Sequence, residues 1–123
     1  MGQGEPLINM KNLKNAIHIL KDKKGLNYGN KKITVSTSGI ANKIREAADE
    51  IGTYLALSLH APNDKLREEI MPINKKFKIK NLIQQLKYYT SVVKEPIFLE
   101  YVMLKGINDT EECAKELVKL MSQ

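Results

Sequence analysis

Apolar positions along this chain follow two alternating periods. From Met10 to about Lys21, Leu13, Ala16, Ile17 and Leu20 recur at intervals of three and four, which places them on one face of a helix that Gly25 ends. Lys32 to Val35 is a short β-branched strand that stops at Ser36-Thr37-Ser38-Gly39, a run suited to a turn and a helix N-cap. Ile40, Ile44, Ala47, Ala48 and Ile51 form the next helical stripe, with Gly52 in the C-cap position. Thr53 to Leu59 is then apolar with little alternation, the mark of a strand covered on both faces. Asn63 or Asp64 caps a short helix running towards Met71, where Pro72 breaks the chain. Ile79, Leu82, Ile83, Leu86, Tyr89 and Val93 mark a helix of about four turns. A second near-continuous strand, Ile97 to Leu104, follows Pro96. After a turn at Lys105-Gly106-Ile107-Asn108-Asp109, a last helix places Cys113, Ala114, Leu117, Val118 and Met121 on its buried side.

Strands alternating with helices at this spacing predict an α/β fold built of parallel βαβ units. Three strands leave two open edges, and Met1 to Asn9 reads as a loop with no strand ahead of it. The span is therefore expected to be an excised piece of a larger barrel that is weakly stable or self-associates when isolated. Ligands of parallel sheets gather at the carboxyl ends of the strands, which puts Ser58, His60 and Asn63 where a ligand would sit.

Composition narrows the choices. The 123 residues suffice for one domain with a modest core. No apolar run approaches the roughly 20 residues that cross a bilayer, and Met1-Gly2-Gln3-Gly4 lacks the features of a signal peptide, so a cytoplasmic protein without a membrane partner is expected. A single cysteine, Cys113, excludes an internal disulfide and cannot by itself hold zinc or an iron-sulfur cluster. The net charge of +6 suits an anionic partner such as nucleic acid, and the lysines crowd into 21–24, 31–32 and 75–80. Lysines in such runs also serve simply as solvated surface.

Gly4-Glu5-Pro6, Ser36-Thr37-Ser38-Gly39 and Ser58-Leu59-His60-Ala61-Pro62-Asn63-Asp64 occupy strand ends in succession. With Met71-Pro72-Ile73-Asn74-Lys75-Lys76 and the segment from Glu100 to Asp109, the chain resembles the radical S-adenosylmethionine RNA methyltransferases that methylate C2 of adenine in large-subunit ribosomal RNA and transfer RNA. The likeness covers essentially the whole chain. A related branch methylates C8 of adenine, but the intact Gly-Glu-Pro and His-Ala-Pro-Asn-Asp strings look more like the C2 branch.

The resemblance implies that residues 1–123 are the middle portion of a radical-SAM core domain, part of a partial (β/α) barrel lining the S-adenosylmethionine pocket. Gly4 and Glu5 then match the motif that receives the cofactor's amino group: glycine lets the backbone come close, and a carboxylate accepts from an ammonium. On their own these residues also read as a tight turn with an exposed acid. Ser36 matches a contact whose hydroxyl both donates and accepts, a role that does not extend to Ser38. Helix capping is the competing use of Ser36. Ser58, Leu59 and His60 match a further set of contacts, two polar anchors with Leu59 packing between them. His60 also reads as a hydrogen-bonded structural histidine, as does His18. Glu100 interrupts an apolar strand and must find a partner or stay near an opening. Cys113 reads as a small core residue.

The family also implies a 4Fe-4S cluster on Cys-x-x-x-Cys-x-x-Cys, two further cysteines, an electron donor, and ribosomal and transfer RNA as substrates. None of those cysteines is present, so this span supplies pocket walls rather than reactive atoms. Two other readings compete: a barrel lyase or isomerase with His60 and Glu100 as acid and base, and a non-catalytic RNA-binding module working through its lysines. Anaerobic iron-sulfur reconstitution of this polypeptide is expected to give no cluster absorbance band, and such a band would overturn the reading.

Overall fold

Three parallel strands, β1 (Thr34–Thr37), β2 (Tyr54–Ser58) and β3 (Ile97–Glu100), lie side by side in that order in a computed structural model. Residues 3–122 are described; Met1 and Gly2 of the amino-terminal loop reading, and Gln123, lie outside the described residues. Helices α1 (Met10–Lys21), α2 (Ala41–Glu50), α3 (Asp64–Ile70), α4 (Ile79–Val93) and α5 (Glu111–Met121) flank and connect the strands, α3 and α4 both lying between β2 and β3. Short 3-10 turns occupy Pro6–Asn9, Asn30–Lys32 and Pro72–Lys75.

The register pairs Ser36 with Ala56, Ala56 with Phe98, and Ser58 with Glu100. Because side chains alternate along a strand, these five share one face, while Val35, Leu55, Leu57 and Leu99 point the other way. That second face carries the core: Leu55 and Leu57 are fully buried with Ile44 of α2 and Leu82 of α4. Large apolar residues thus meet the helices, and the opposite face carries Ser36, Ala56, Ser58 and Glu100 together with one large apolar side chain, the exposed Phe98. Tyr89 of α4 is buried beneath the sheet, donating from its hydroxyl to the Thr53 carbonyl at 2.8 Å, and burial pushes its phenol up to about 12.

Three expectations need correction. The first strand begins later and runs through Ser36 and Thr37, because both pair with β2. The hydroxyls of 36–38 therefore cap no helix: Ile40 occupies the N-cap of α2 without a side-chain bond, while Thr37 Oγ1 accepts from Gly39 N at 3.0 Å. Gly39 stands at φ +106, where a Cβ would come within 3.0 Å of Leu82. Second, β3 ends at Glu100, not at Leu104. Amides beyond it bond to side chains: Val102 N donates to His60 Nδ1 at 3.1 Å and Leu104 N to Asn108 Oδ1 at 2.6 Å. Third, α5 buries only a narrow stripe. Cys113, Leu117 and Leu120 are half-buried, whereas Ala114, Val118 and Met121 are exposed.

At the carboxyl ends of β1 and β2, one fully buried side chain joins four acceptors. Arg67 of α3 donates from Nε to the Leu59 carbonyl at 3.0 Å and from Nη1 to Asn74 Oδ1 at 2.9 Å. Its Nη2 donates to the Ser38 carbonyl at 2.7 Å and the Ser58 carbonyl at 2.9 Å. Burial lowers the guanidinium below its ordinary value and Asp64 opposes that. Asn74, also fully buried, donates to Asp64 Oδ1 at 2.8 Å, and the same oxygen accepts from Ile79 N at 2.9 Å, holding the start of α4. Arg67→Ala removes the donor from four acceptors and is expected to destabilise the fold by about 3–5 kcal/mol in urea unfolding. Arg67→Lys keeps the charge without the planar fork and should recover only part of that loss.

Candidate functional site

A cavity of about 720 Å³ opens above the carboxyl ends of the strands, lined by Gly4, Glu5, Ser36, Ser38, Ser58, His60, Glu100 and Val102 among others. Five of the six residues marked from the sequence meet there: Gly4, Glu5, Ser36, Ser58 and His60. Leu59 does not. Strand alternation turns it to the helix side, where it is 1% exposed, and its N–H and carbonyl are bonded to Glu100 and Arg67. Asn63 is likewise no part of the cavity wall; its Oδ1 caps α3 by accepting from Leu66 N at 3.0 Å.

Glu5 precedes the turn at Pro6–Asn9, with Gly4 before it at φ +81. One carboxylate oxygen accepts from Leu7 N at 3.1 Å, and the other accepts from both Ser38 N and Ser38 Oγ at 2.6 Å. A carboxylate offers about four acceptor sites, so roughly one is left for a ligand. Ser38, set aside in the sequence reading, is thus the residue that aims Glu5, and its own carbonyl is held by Arg67. No periodicity signals this, because the partners lie 33 residues apart.

His60 adopts φ +56, a left-handed conformation held from several sides. Its N–H donates to the Glu100 carbonyl at 3.2 Å, and its own carbonyl accepts from Asn108 Nδ2 at 2.8 Å. Nδ1 accepts from Val102 N, so the neutral ring carries its proton on Nε2 and offers it as a donor. Burial first, and Arg67 second, push the imidazole below its ordinary value, with Glu100 opposing. Asn108, buried in the 101–108 loop, also donates to the Val102 carbonyl at 2.8 Å and so keeps that loop against the cavity.

Among the described residues the hydroxyls of Ser36 and Ser58 and the carboxylate of Glu100 have no hydrogen-bond partner, yet all three line the cavity. Glu100 is the functional candidate that sequence reasoning left undecided, and it stays near an opening. Two carboxylates, two free hydroxyls and a neutral imidazole donor suit a ligand that carries both positive charge and hydroxyl groups. A cavity of this size accommodates a nucleoside-sized molecule. An iron-sulfur cluster finds no such fit. The sole cysteine, Cys113, lies on α5, and among the described residues no three His, Cys, Asp or Glu converge to hold a metal.

The sequence pattern of the radical SAM superfamily matches residues 1–120. The chain is similar to the dual-specificity RNA methyltransferase RlmN of Xylella fastidiosa, 46% identical over 125 residues that cover all of this chain and 31% of that protein. It is similar also to RlmN of Lawsonia intracellularis, 49% identical over 122 residues that cover 99% of the chain and 34% of that protein. Among solved structures, a radical SAM methyltransferase from Sphaerobacter thermophilus superposes with a TM-score of 0.94 at 39% identity, covering 98% of this chain and 36% of that one. The chain thus spans about a third of the length of the relatives it matches.

The lowered imidazole generates a pH test. Below 6.5 the unfolded state binds a proton that the folded state resists, so stability is full above 6.5 and falls as pH drops from there towards the folded value. The nuclear magnetic resonance titration of His60 should have its midpoint below 6.5, and His60→Gln should flatten the fall of the urea midpoint over that window.

Proposed function

The chain belongs to the radical SAM superfamily, its three parallel strands and their helices forming part of that family's α/β fold, and on that premise we propose that the cavity binds S-adenosylmethionine for an RNA methyltransferase. The observation that carries this reading is the convergence of Glu5, Ser36, Ser58 and His60 on one cavity. Glu5 keeps a free acceptor site for the cofactor's ammonium, beside the open approach that Gly4 allows. Ser36 and Ser58 present unbonded hydroxyls, His60 presents its Nε2 proton, and Glu100 adds a second acceptor opposite Ser58. Leu59 contributes by packing beneath the site rather than by touching the ligand.

When bound, S-adenosylmethionine supplies the methyl group. Residues of this chain bind and orient it, and the 4Fe-4S cluster finds no ligands among the residues present. We assign residues 1–123 to the middle portion of a radical SAM core, acting in the whole protein on C2 of adenine in ribosomal and transfer RNA, with a one-electron donor as a further partner. The relatives' printed activity on RNA and the intact Gly4-Glu5-Pro6 and His60-Ala61-Pro62-Asn63-Asp64 strings support this. No helix among the described residues is long and apolar enough to cross a membrane.

Isothermal titration with S-adenosylmethionine tests the site. Glu5→Gln, which preserves shape but removes charge, should weaken binding by about tenfold or more, and Ser58→Ala by less. Failure of the unmodified chain to bind S-adenosylmethionine at millimolar concentration would overturn the reading.

A further inference from the structure

We propose that Lys75, Lys76 and Lys80 form a docking rim for the phosphate backbone of RNA beside the cavity; this rests on the radical SAM RNA methyltransferase reading given above. Residues 64–80 carry six basic and three acidic side chains, so half of the chain's net charge of +6 lies in this short segment. Its charges are also distributed unevenly in space. Lys14, Lys31, Lys43, Lys78 and Lys115 each pair with a carboxylate. Lys75, Lys76 and Lys80 are exposed and have no carboxylate partner among the described residues.

The rim is built rather than loose. Asn74, immediately before Lys75, is fully buried and accepts from Arg67, which binds the carbonyls of the cavity residues Ser38 and Ser58. Asp64 anchors the other side by accepting from Ile79 N, one residue before Lys80. Lys76 Nζ lies 5.4 Å from the centre of the buried Phe77 ring, which steadies its stem. Hydrogen bonds thus tie the segment that carries the three lysines to the carboxyl ends of the strands, the end of the sheet where the cavity opens. Solvent-facing lysines on a rigid segment suit phosphate binding, and a polyanion held there lies at the end of the sheet where the cavity opens.

The opposite end of the sheet provides the comparison. Lys21 ends α1 and Lys23 and Lys24 follow it, on the side where Lys14 meets Glu50 and Lys31 meets Glu95. They carry the same charge, and the length of α1, about 18 Å, separates them from Asn9 of the cavity wall.

Fluorescence anisotropy with a short adenine-containing RNA stem-loop, repeated over a range of KCl concentrations, tests the rim on the full chain. The triple variant Lys75→Ala, Lys76→Ala, Lys80→Ala should bind RNA about tenfold more weakly or worse, with the slope of log Kd against log salt reduced by about one for each lysine removed. The triple variant Lys21→Ala, Lys23→Ala, Lys24→Ala should stay close to the unmodified chain. Rim-variant binding within about twofold of the unmodified chain, or an equal loss in the opposite-end variant, would overturn the proposal. Titration of the same proteins with S-adenosylmethionine separates the two readings. Intact cofactor binding with unchanged RNA binding defeats the rim alone, whereas absence of cofactor binding in the unmodified chain defeats the cavity assignment.

Discussion

A single buried cation decides the shape of the functional end of this protein. Carbonyls at the ends of parallel strands have no ladder partner, and a buried carbonyl without a donor is costly. Arg67 meets three of them, those of Ser38, Ser58 and Leu59, with one planar guanidinium, and adds Asn74 as a fourth acceptor. Burying a cation is itself unfavourable, and it is tolerated because each bond is charge-assisted and Asp64 stands close by. The consequence reaches beyond the arginine. Ser38, fixed through its carbonyl, donates twice to Glu5, so the acid on the amino-terminal turn is positioned by a residue of α3 that it never touches.

Polar groups around the cavity divide into those held by the protein and those left for something else. Thr37, Ser38 and Asn108 have their bonding capacity directed to the backbone or to Glu5. The hydroxyls of Ser36 and Ser58, the carboxylate of Glu100 and the Nε2 proton of His60 are not so occupied. Small residues on the inner face of the sheet, Ser36, Ala56 and Ser58, leave room above them. Acidic groups sit in the cavity, and the lysines without a carboxylate partner among the described residues stand on the segment that Asn74 and Asp64 tie to the same strand ends, so on the proposals made above one end of the fold offers separate places to a cationic small molecule and to a polyanion. Mixing the two charges in one place would have neutralised both.

Helix positions were legible because burial imposes a repeat of three and four, and β2 because a strand covered on both faces shows an uninterrupted apolar run. The strand tips were legible in part: an apolar run ending in polar residues put Ser58 and His60 at a strand's carboxyl end, and the family resemblance added Gly4, Glu5 and Ser36, all five of which the fold gathers around one cavity. Other features had no local signature. Val102 and Leu104 look like strand residues, yet Asn108 and His60 take their amides out of the ladder. Val118 and Met121 match the apolar pattern of α5 but face solvent, since periodicity reports which face could be buried and not how much of it finds a neighbour.

Sequence alone determined the order of elements and the parallel α/β architecture, since both follow from short-range periodicity and turn chemistry, and its resemblance to a known family marked the polar residues at the strand ends. Only the tertiary structure decided that Arg67 lies at the centre, that Ser38 rather than Ser36 binds Glu5, that Leu59 faces the core, and that Glu100 stays open to the cavity. Those outcomes depend on which distant hydrogen-bond donors reach which acceptors. A choice between partners many residues apart is made by packing geometry, and it leaves no trace in the local order of residues.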